Sequence, residues 1–313
     1  NIFKETVHKT PVETSPQEEA FNLAIKKWQI IDGNFTYDDP SMGIYTELLG
    51  IDHTGFGDFS NDISDLITNT SIASVGLNYE GINYLKGQTL DGALNMKMDF
   101  KASKYSFSEN RFMLGTMSIG MKGDVTLTSD ADMMMDIEFQ SMDMSIKSIL
   151  SLLPGDYSSY LDNASVAGDV KVFGNVSGTY NEFRFPDIKI NTIIHNGYLV
   201  YKEYPTPIEE IQLEAELSIP GANTSLMSIS MPQFSMQVEG QDFQAQMRFE
   251  NLSNYTWDFN MSGGLDLGKI FQIIPIEGVR LKGLISGNFE SAGKLLLIEE
   301  RKYQQLSTKG SLL

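Results

Sequence analysis

The sequence predicts a mostly β protein: a curved, largely antiparallel β-sheet forming an open trough or half-barrel, with an apolar concave face and two short helices. Three observations carry this expectation. Apolar and polar residues alternate with period 2 in stretch after stretch, the mark of antiparallel strands that keep one face in water. Gly, Asn and Asp cluster between these stretches, as hairpin turns require. Helical spacing occurs in only two short segments, each ending at a proline.

Residues 1–19 read as an extended leader, because Pro11 and Pro16 interrupt a segment dominated by Thr, Ser and Glu. Residues 20–313 read as a single elongated β domain. Its clearest strand sets Leu94, Met96, Met98 and Phe100 against Asn95, Lys97, Asp99 and Lys101. The same alternation sets Met133, Met135, Ile137 and Phe139 against Met134, Asp136, Glu138 and Gln140. It returns with Ile211, Leu213, Ala215, Leu217 and Ile219, with Phe243, Ala245, Met247 and Phe249, and with Trp257, Phe259 and Met261. Turns are expected at Asp32-Gly33-Asn34, Asn78-Tyr79-Glu80-Gly81, Asn196-Gly197, Glu239-Gly240-Gln241 and Ser262-Gly263-Gly264. Asn196-Gly197 is the strongest hairpin signal of the five.

Ile146, Ile149, Leu150 and Leu153 recur at helical spacing and stop at Pro154-Gly155; Leu267, Ile270, Phe271 and Ile274 do so and stop at Pro275. A glycine-punctuated strand follows each helix, so residues 146–180 and 267–289 read as a degenerate internal repeat.

The charge balance narrows function. Lys and Arg number 23 against 41 Asp and Glu, a net charge of −18, and no basic patch is present to neutralise phosphates. Nucleic-acid binding is therefore not expected. With Cys 0 and His 3, thiol catalysis, disulfides and thiolate zinc sites are excluded. No phosphate-binding loop, nucleophile elbow or zinc-binding His-Glu-x-x-His helix occurs. The acidic groups Asp38-Asp39, Asp58 with Asp62 and Asp65, Asp130 with Asp132 and Asp136, and Glu209-Glu210 fall at turns or on polar strand faces, where solvation explains them. Asp32-Gly33-Asn34 and Asp130-Ala131-Asp132 space their oxygens as calcium ligands can be spaced, without completing a calcium loop. No enzyme activity, cofactor or metal is expected. No stretch reaches the roughly 18 apolar residues of a membrane-spanning helix. The chain starts at Asn1 and is read as a fragment of a longer one.

Methionine is the unusual component, at 16 residues, many of them in strand stretches where β-branched and aromatic residues are favoured. An ordinary core filled with adaptable side chains accounts for it. So does an apolar surface that accepts flexible ligands such as acyl chains, to which an unbranched thioether adapts. On the second account the groove lining is Leu94, Met96, Met98 and Phe100, then Met133, Met135, Ile137 and Phe139, then Phe243, Met247, Phe249, Trp257, Phe259 and Met261.

The run from Trp28-Gln29-Ile30-Ile31-Asp32-Gly33-Asn34-Phe35-Thr36-Tyr37 to Asp38-Asp39, followed by Gly55-Phe56-Gly57-Asp58-Phe59 and Asp65-Leu66-Ile67-Thr68, resembles the AsmA-like proteins of Bacteroidota. The likeness continues through Ile149-Leu150-Ser151-Leu152-Leu153-Pro154, Gly168 to Gly178, Gly264-Leu265-Asp266-Leu267 and Leu281-Lys282-Gly283, in order over residues 21–293. Each motif is short, and the family is defined by pattern more than by invariant residues. The resemblance implies a periplasmic β-rich body similar to TamB and the bridge-like lipid transfer proteins. It also implies attachment to the inner membrane through a helix that this chain lacks, and it brings no catalytic residues. The expected function is binding or conducting phospholipid or lipopolysaccharide acyl chains, in support of outer-membrane assembly or lipid homeostasis. The alternative is a closed β-sandwich or barrel serving as a structural or adhesive module. Glycan binding by such a module has thin support with two Trp. An enzyme comes third.

Overall fold

The computed structural model describes residues 26–40, 43–79, 81–128, 132–142, 144–150, 164–202, 204–251, 254–266, 268 and 282–312. The expected leader, the helix over 267–274 and the end of the helix at 146–153 lie outside them. In chain order the strands are β1 (Lys27–Asp39), β2 (Ile44–Phe56), β3 (Ile63–Tyr79), β4 (Ile82–Asp99), β5 (Lys104–Leu114), β6 (Met117–Leu127), β7 (Met133–Met142) and β8 (Met144–Ser145). They continue as β9 (Ala164–Tyr180), β10 (Asp187–Tyr201), β11 (Tyr204–Ile219), β12 (Ser228–Val238), β13 (Gln241–Glu250), β14 (Thr256–Asp266), β15 (Leu284–Lys294) and β16 (Ser307–Leu312). Two single-turn helices, α1 (Ile146–Leu150) and α2 (Leu295–Glu299), interrupt them.

All sixteen strands belong to one antiparallel sheet, ordered as in the chain from β1 to β7 and then β9 to β16, with β8 pairing β9. The path is open, for β1 and β16 do not pair. Among the described residues there is one sheet and not two, and it does not close into a barrel. The contacts between described elements are those of sheet neighbours, with the helical turns added at the margins.

Curvature does what a second layer would do elsewhere. Leu66, Met98 and Phe107 are each below one-tenth exposed although no described element crosses over them. Neighbours on the same face cover them when the sheet curls toward that face, and the β2–β3 loop adds to this at the strand ends, where Gly57 lies against Leu66 and the Asp58 amide donates to Ser64 Oγ at 3.1 Å. The devices that curl it are written into the strands as β-bulges, which add one residue to one strand and sharpen the local twist. The register slips beside Asp32 in β1, beside Asn196 in β10 and beside Glu210 in β11, and each of these residues has a positive φ near 50°. In β12 it slips at Pro232-Gln233, where the missing amide of proline leaves no ladder bond unmade.

Three of the expected turns are corrected, the first two of them by these bulges and the third by unbroken pairing on both sides. Asp32-Gly33-Asn34, Asn196-Gly197 and Ser262-Gly263-Gly264 all lie inside strands. A type I′ turn and a bulge ask for the same thing, a short polar residue or glycine at positive φ, so Asn-Gly marks either. Which one forms depends on whether the flanking segments pair with each other. Here Ile194 pairs with Leu213 and Gly197 with Ile211, so the chain continues forward. The turns at residues 78–81 and 239–241 are hairpins as expected, with Tyr79 opposite Ile82 and Val238 opposite Gln241. Gly168 and Gly283 of the expected repeat take nearly the same φ, +128° and +123°.

One bulge is sealed by a side chain. Between Ala93/Arg111 and Met96/Phe107, β5 carries one residue more than β4, which leaves the backbone of Asn95 without a partner strand. Asn110, 2% exposed, supplies both missing bonds: its Oδ1 accepts from Asn95 N at 2.7 Å and its Nδ2 donates to Asn95 O at 3.2 Å. Asn110→Ala orphans a buried donor and a buried acceptor and costs about 1–3 kcal/mol in urea unfolding. Asn95→Ala keeps the same backbone groups and stays within about 0.5 kcal/mol of the parent.

Candidate functional site

Thirteen of the fourteen expected groove residues lie in strands, and the registers place them on one face. Met96 stands opposite both Leu66 and Phe107; Phe107 faces Gly123, Gly123 faces Ile137, and Ile137 faces Val176. One row further along, Met121, Phe139, Gly174, Ile190, Leu217 and Ile229 follow one another strand by strand. That row ends in Phe249, Trp257 and Gly293. The two clusters seen in sequence, around Met133–Phe139 and around Phe243–Met261, are thus parts of one surface. From β6 to β15 it crosses eight strand spacings, about 38 Å of arc. Phe100, the fourteenth, falls just beyond β4 and completes an aromatic cluster at the strand ends, its ring 6.1 Å from Phe59, which is 5.5 Å from Trp28.

The surface deepens at β12–β14 into a concavity of about 420 Å³ lined by Met231, Phe234, Phe243, Ala245, Met247, Phe249, Phe259 and Met261. Buried Ala245 forms its floor, flanked across the strands by Phe234 and Met261. Phe234 and Phe243 meet edge to face with ring centres 6.2 Å apart, and both pack on the buried pair Ile208 and Met236. Burial raises the Tyr201 hydroxyl pKa beside this pair. Trp257 spends its one polar atom on Ser291, donating from Nε1 to Oγ at 3.1 Å.

Sequence reasoning missed Leu66, Phe107, Met231 and Phe234. The alternation that would have revealed Phe107, Met231 and Phe234 is cut by the β5 and β12 bulges, which reset its phase, and Leu66 stands in β3 between the polar Ser64 and Thr68 of the same face. A second signal was available in the glycines. Five times an aromatic ring lies over a glycine directly opposite it on the next strand: Trp28 on Gly55, Phe112 on Gly92, Phe139 on Gly174, Trp257 on Gly293 and Phe289 on Gly310. A side chain at any of these glycines would occupy the space of the ring, so the ring would have to stand up into the groove.

The acidic residues go to the other face or to the strand ends. Asp65, Lys97, Ser106, Asp124 and Asp136 follow one another across neighbouring strands. Hydrogen bonding from Ser106, then Lys104, holds the Asp124 carboxyl below its usual range. Lys122 pairs with Glu138 at 2.8 Å, and Lys101 with Asp62 at 2.5 Å. Two larger depressions, of about 830 and 890 Å³, open on this polar face, since a twisted sheet is a saddle with a hollow on each side. Their walls carry charges of both signs. Asn34 of the calcium-like triplet accepts from the Gly50 amide at 3.0 Å, and the Asp32 amide donates to Asp52, so the triplet serves the bulge. Among the described residues no group of three or more His, Asp or Glu could hold a metal ion. His53 is held at both ring nitrogens: its Nε2 accepts from Trp28 Nε1 at 3.1 Å, which leaves Nδ1–H to donate to Thr70 at 2.8 Å. Among the described residues no helix is long and apolar enough to cross a membrane.

Gly174→Ala places a methyl group against the Lys189 carbonyl oxygen and 2.6 Å from Phe139 Cζ, so backbone and ring must both shift. It is expected to lower the urea midpoint clearly, whereas Gly76→Ala, with its nearest neighbour at 3.7 Å, leaves it unchanged. Comparison of the chain with family models, with curated proteins and with solved structures finds no match.

Proposed function

We propose that the protein binds lipid acyl chains along its apolar face, with the headgroups left in solvent, and that it holds or conducts phospholipid or lipopolysaccharide in the bacterial envelope. The observation that carries the reading is the unbroken row of apolar positions from Met121 to Trp257, over which no described element lies. Each methylene laid on such a surface gains about 0.8 kcal/mol on leaving water. The arc of about 38 Å exceeds the roughly 30 Å hydrocarbon thickness of a whole bilayer, so it accommodates more than one chain end to end. Passage also needs a lining without a single tight pocket. Methionines provide it, because their flexible side chains repack around a moving ligand at little cost. The resemblance to the AsmA-like proteins supports the same reading and suggests a periplasmic body anchored to the inner membrane.

Native mass spectrometry of protein purified from a bacterial envelope tests this. Phospholipid is expected to co-purify, and Met135→Asp with Phe139→Asp to remove it while the circular dichroism of the sheet persists. A lipid-free parent that takes up none from vesicles would sink the proposal. The two tryptophans offer a second readout. With Trp28→Phe, emission comes from Trp257 alone, beside the concavity, and a brominated fatty acid is expected to quench it.

A further inference from the structure

The two ends of the strands differ. Among the described residues at one end, 115–116, Lys202 and Glu239–Gly240 are small, polar or charged, and the large apolar side chains exposed beside its other connections, Ile82 at 45% and Leu284 at 66%, stand apart in the sheet. At the other end the loops present large apolar side chains to solvent: Phe183 at 85% exposed, Leu226 at 53%, and in the β15–β16 connection Leu296 at 43%, Ile298 at 40% and Tyr303 at 58%. Hydrogen bonds knit successive loops into one rim. Gly221 N donates to Asp187, Asn251 N to Met227 O, and Leu295 N to Tyr255 O at 2.9 Å.

From this rim we infer a docking site for a lipid bilayer surface, with α2 as its inserting element. Two observations select lipid over other occupants. The first is local charge. The exposed apolar side chains of α2 are bracketed by Lys294 and Arg301 against Glu299, while Lys302 is ion-paired with Glu300 at 2.7 Å, in a chain of net charge −18. Apolar residues beneath, basic side chains reaching back to phosphate and a tyrosine beside them match the layers of a bilayer interface. The second is continuity with the groove. Tyr255, which receives the α2 amide, lies 6.2 Å from the Trp257 ring, and Leu306 closes over Gly293 on the same side. An acyl chain drawn up at α2 passes Trp257 and Phe249 and reaches the concavity. The route rests on the acyl-chain reading above; the docking does not.

The absence of cysteine makes the test direct. Ile298→Cys and, at the opposite strand end, Lys202→Cys are each labelled with an environment-sensitive dye and mixed with phosphatidylcholine vesicles, with and without phosphatidylglycerol. Emission from position 298 is expected to rise and shift to the blue while position 202 stays silent. Leu296→Glu with Ile298→Glu is expected to weaken vesicle co-sedimentation by about tenfold or more. The same variant retains quenching of Trp257 by a brominated fatty acid in the absence of vesicles. A silent label at 298, or equal responses at both positions, overturns the docking. Loss of fatty-acid quenching in the parent, with docking intact, overturns the groove instead.

Discussion

A sheet without a facing layer has one way to bury its apolar side, which is to bend until neighbouring side chains on that side cover one another. Everything in this protein follows from that constraint. Met98 is only 3% exposed, and its neighbours in register are Ser64 of β3 and Tyr105 of β5, on the same sheet. The gain in apolar burial drives the curl, and the curl costs ladder hydrogen bonds wherever the strands must slip past one another. The structure therefore contains many bulges and spends polar side chains on repairing them.

Asn110 shows the repair most clearly, since its amide stands in for a strand backbone opposite Asn95. Ser141 does the same on a smaller scale, its hydroxyl in β7 accepting from the Val172 amide of β9 at 2.8 Å. The aromatic rings over glycines solve the complementary problem. On the inside of a curve side chains crowd, and removing one member of a facing pair lets a large ring lie flat and cover backbone on both strands. Phe139 over Gly174 and Trp257 over Gly293 make the groove smooth rather than ridged, which suits a flexible apolar ligand better than a rigid one.

Separation of charge and apolar surface is the functional counterpart of this architecture. A strand of period 2 sends every second residue to each face, so a chain of net charge −18 can still present a continuous uncharged surface across nine neighbouring strands. The acidic groups solubilise the outer face and keep copies of the protein apart. An apolar side and a charged side of this kind are what the proposed binding of acyl chains requires.

The amino-acid sequence by itself determined the strand class and, within each unbroken stretch of alternation, which side chains share a face, because both follow from local alternation. Met133 to Phe139 and Trp257 to Met261 were legible for that reason. The tertiary structure alone decided that these stretches lie on one surface, that Asn196-Gly197 bends a strand instead of reversing it, and that Leu66, Phe107, Met231 and Phe234 join the lining. Those outcomes depend on which strands pair and in what register. A bulge shifts the register by one residue for reasons that reside in the neighbouring strand, where a reading along the chain does not look.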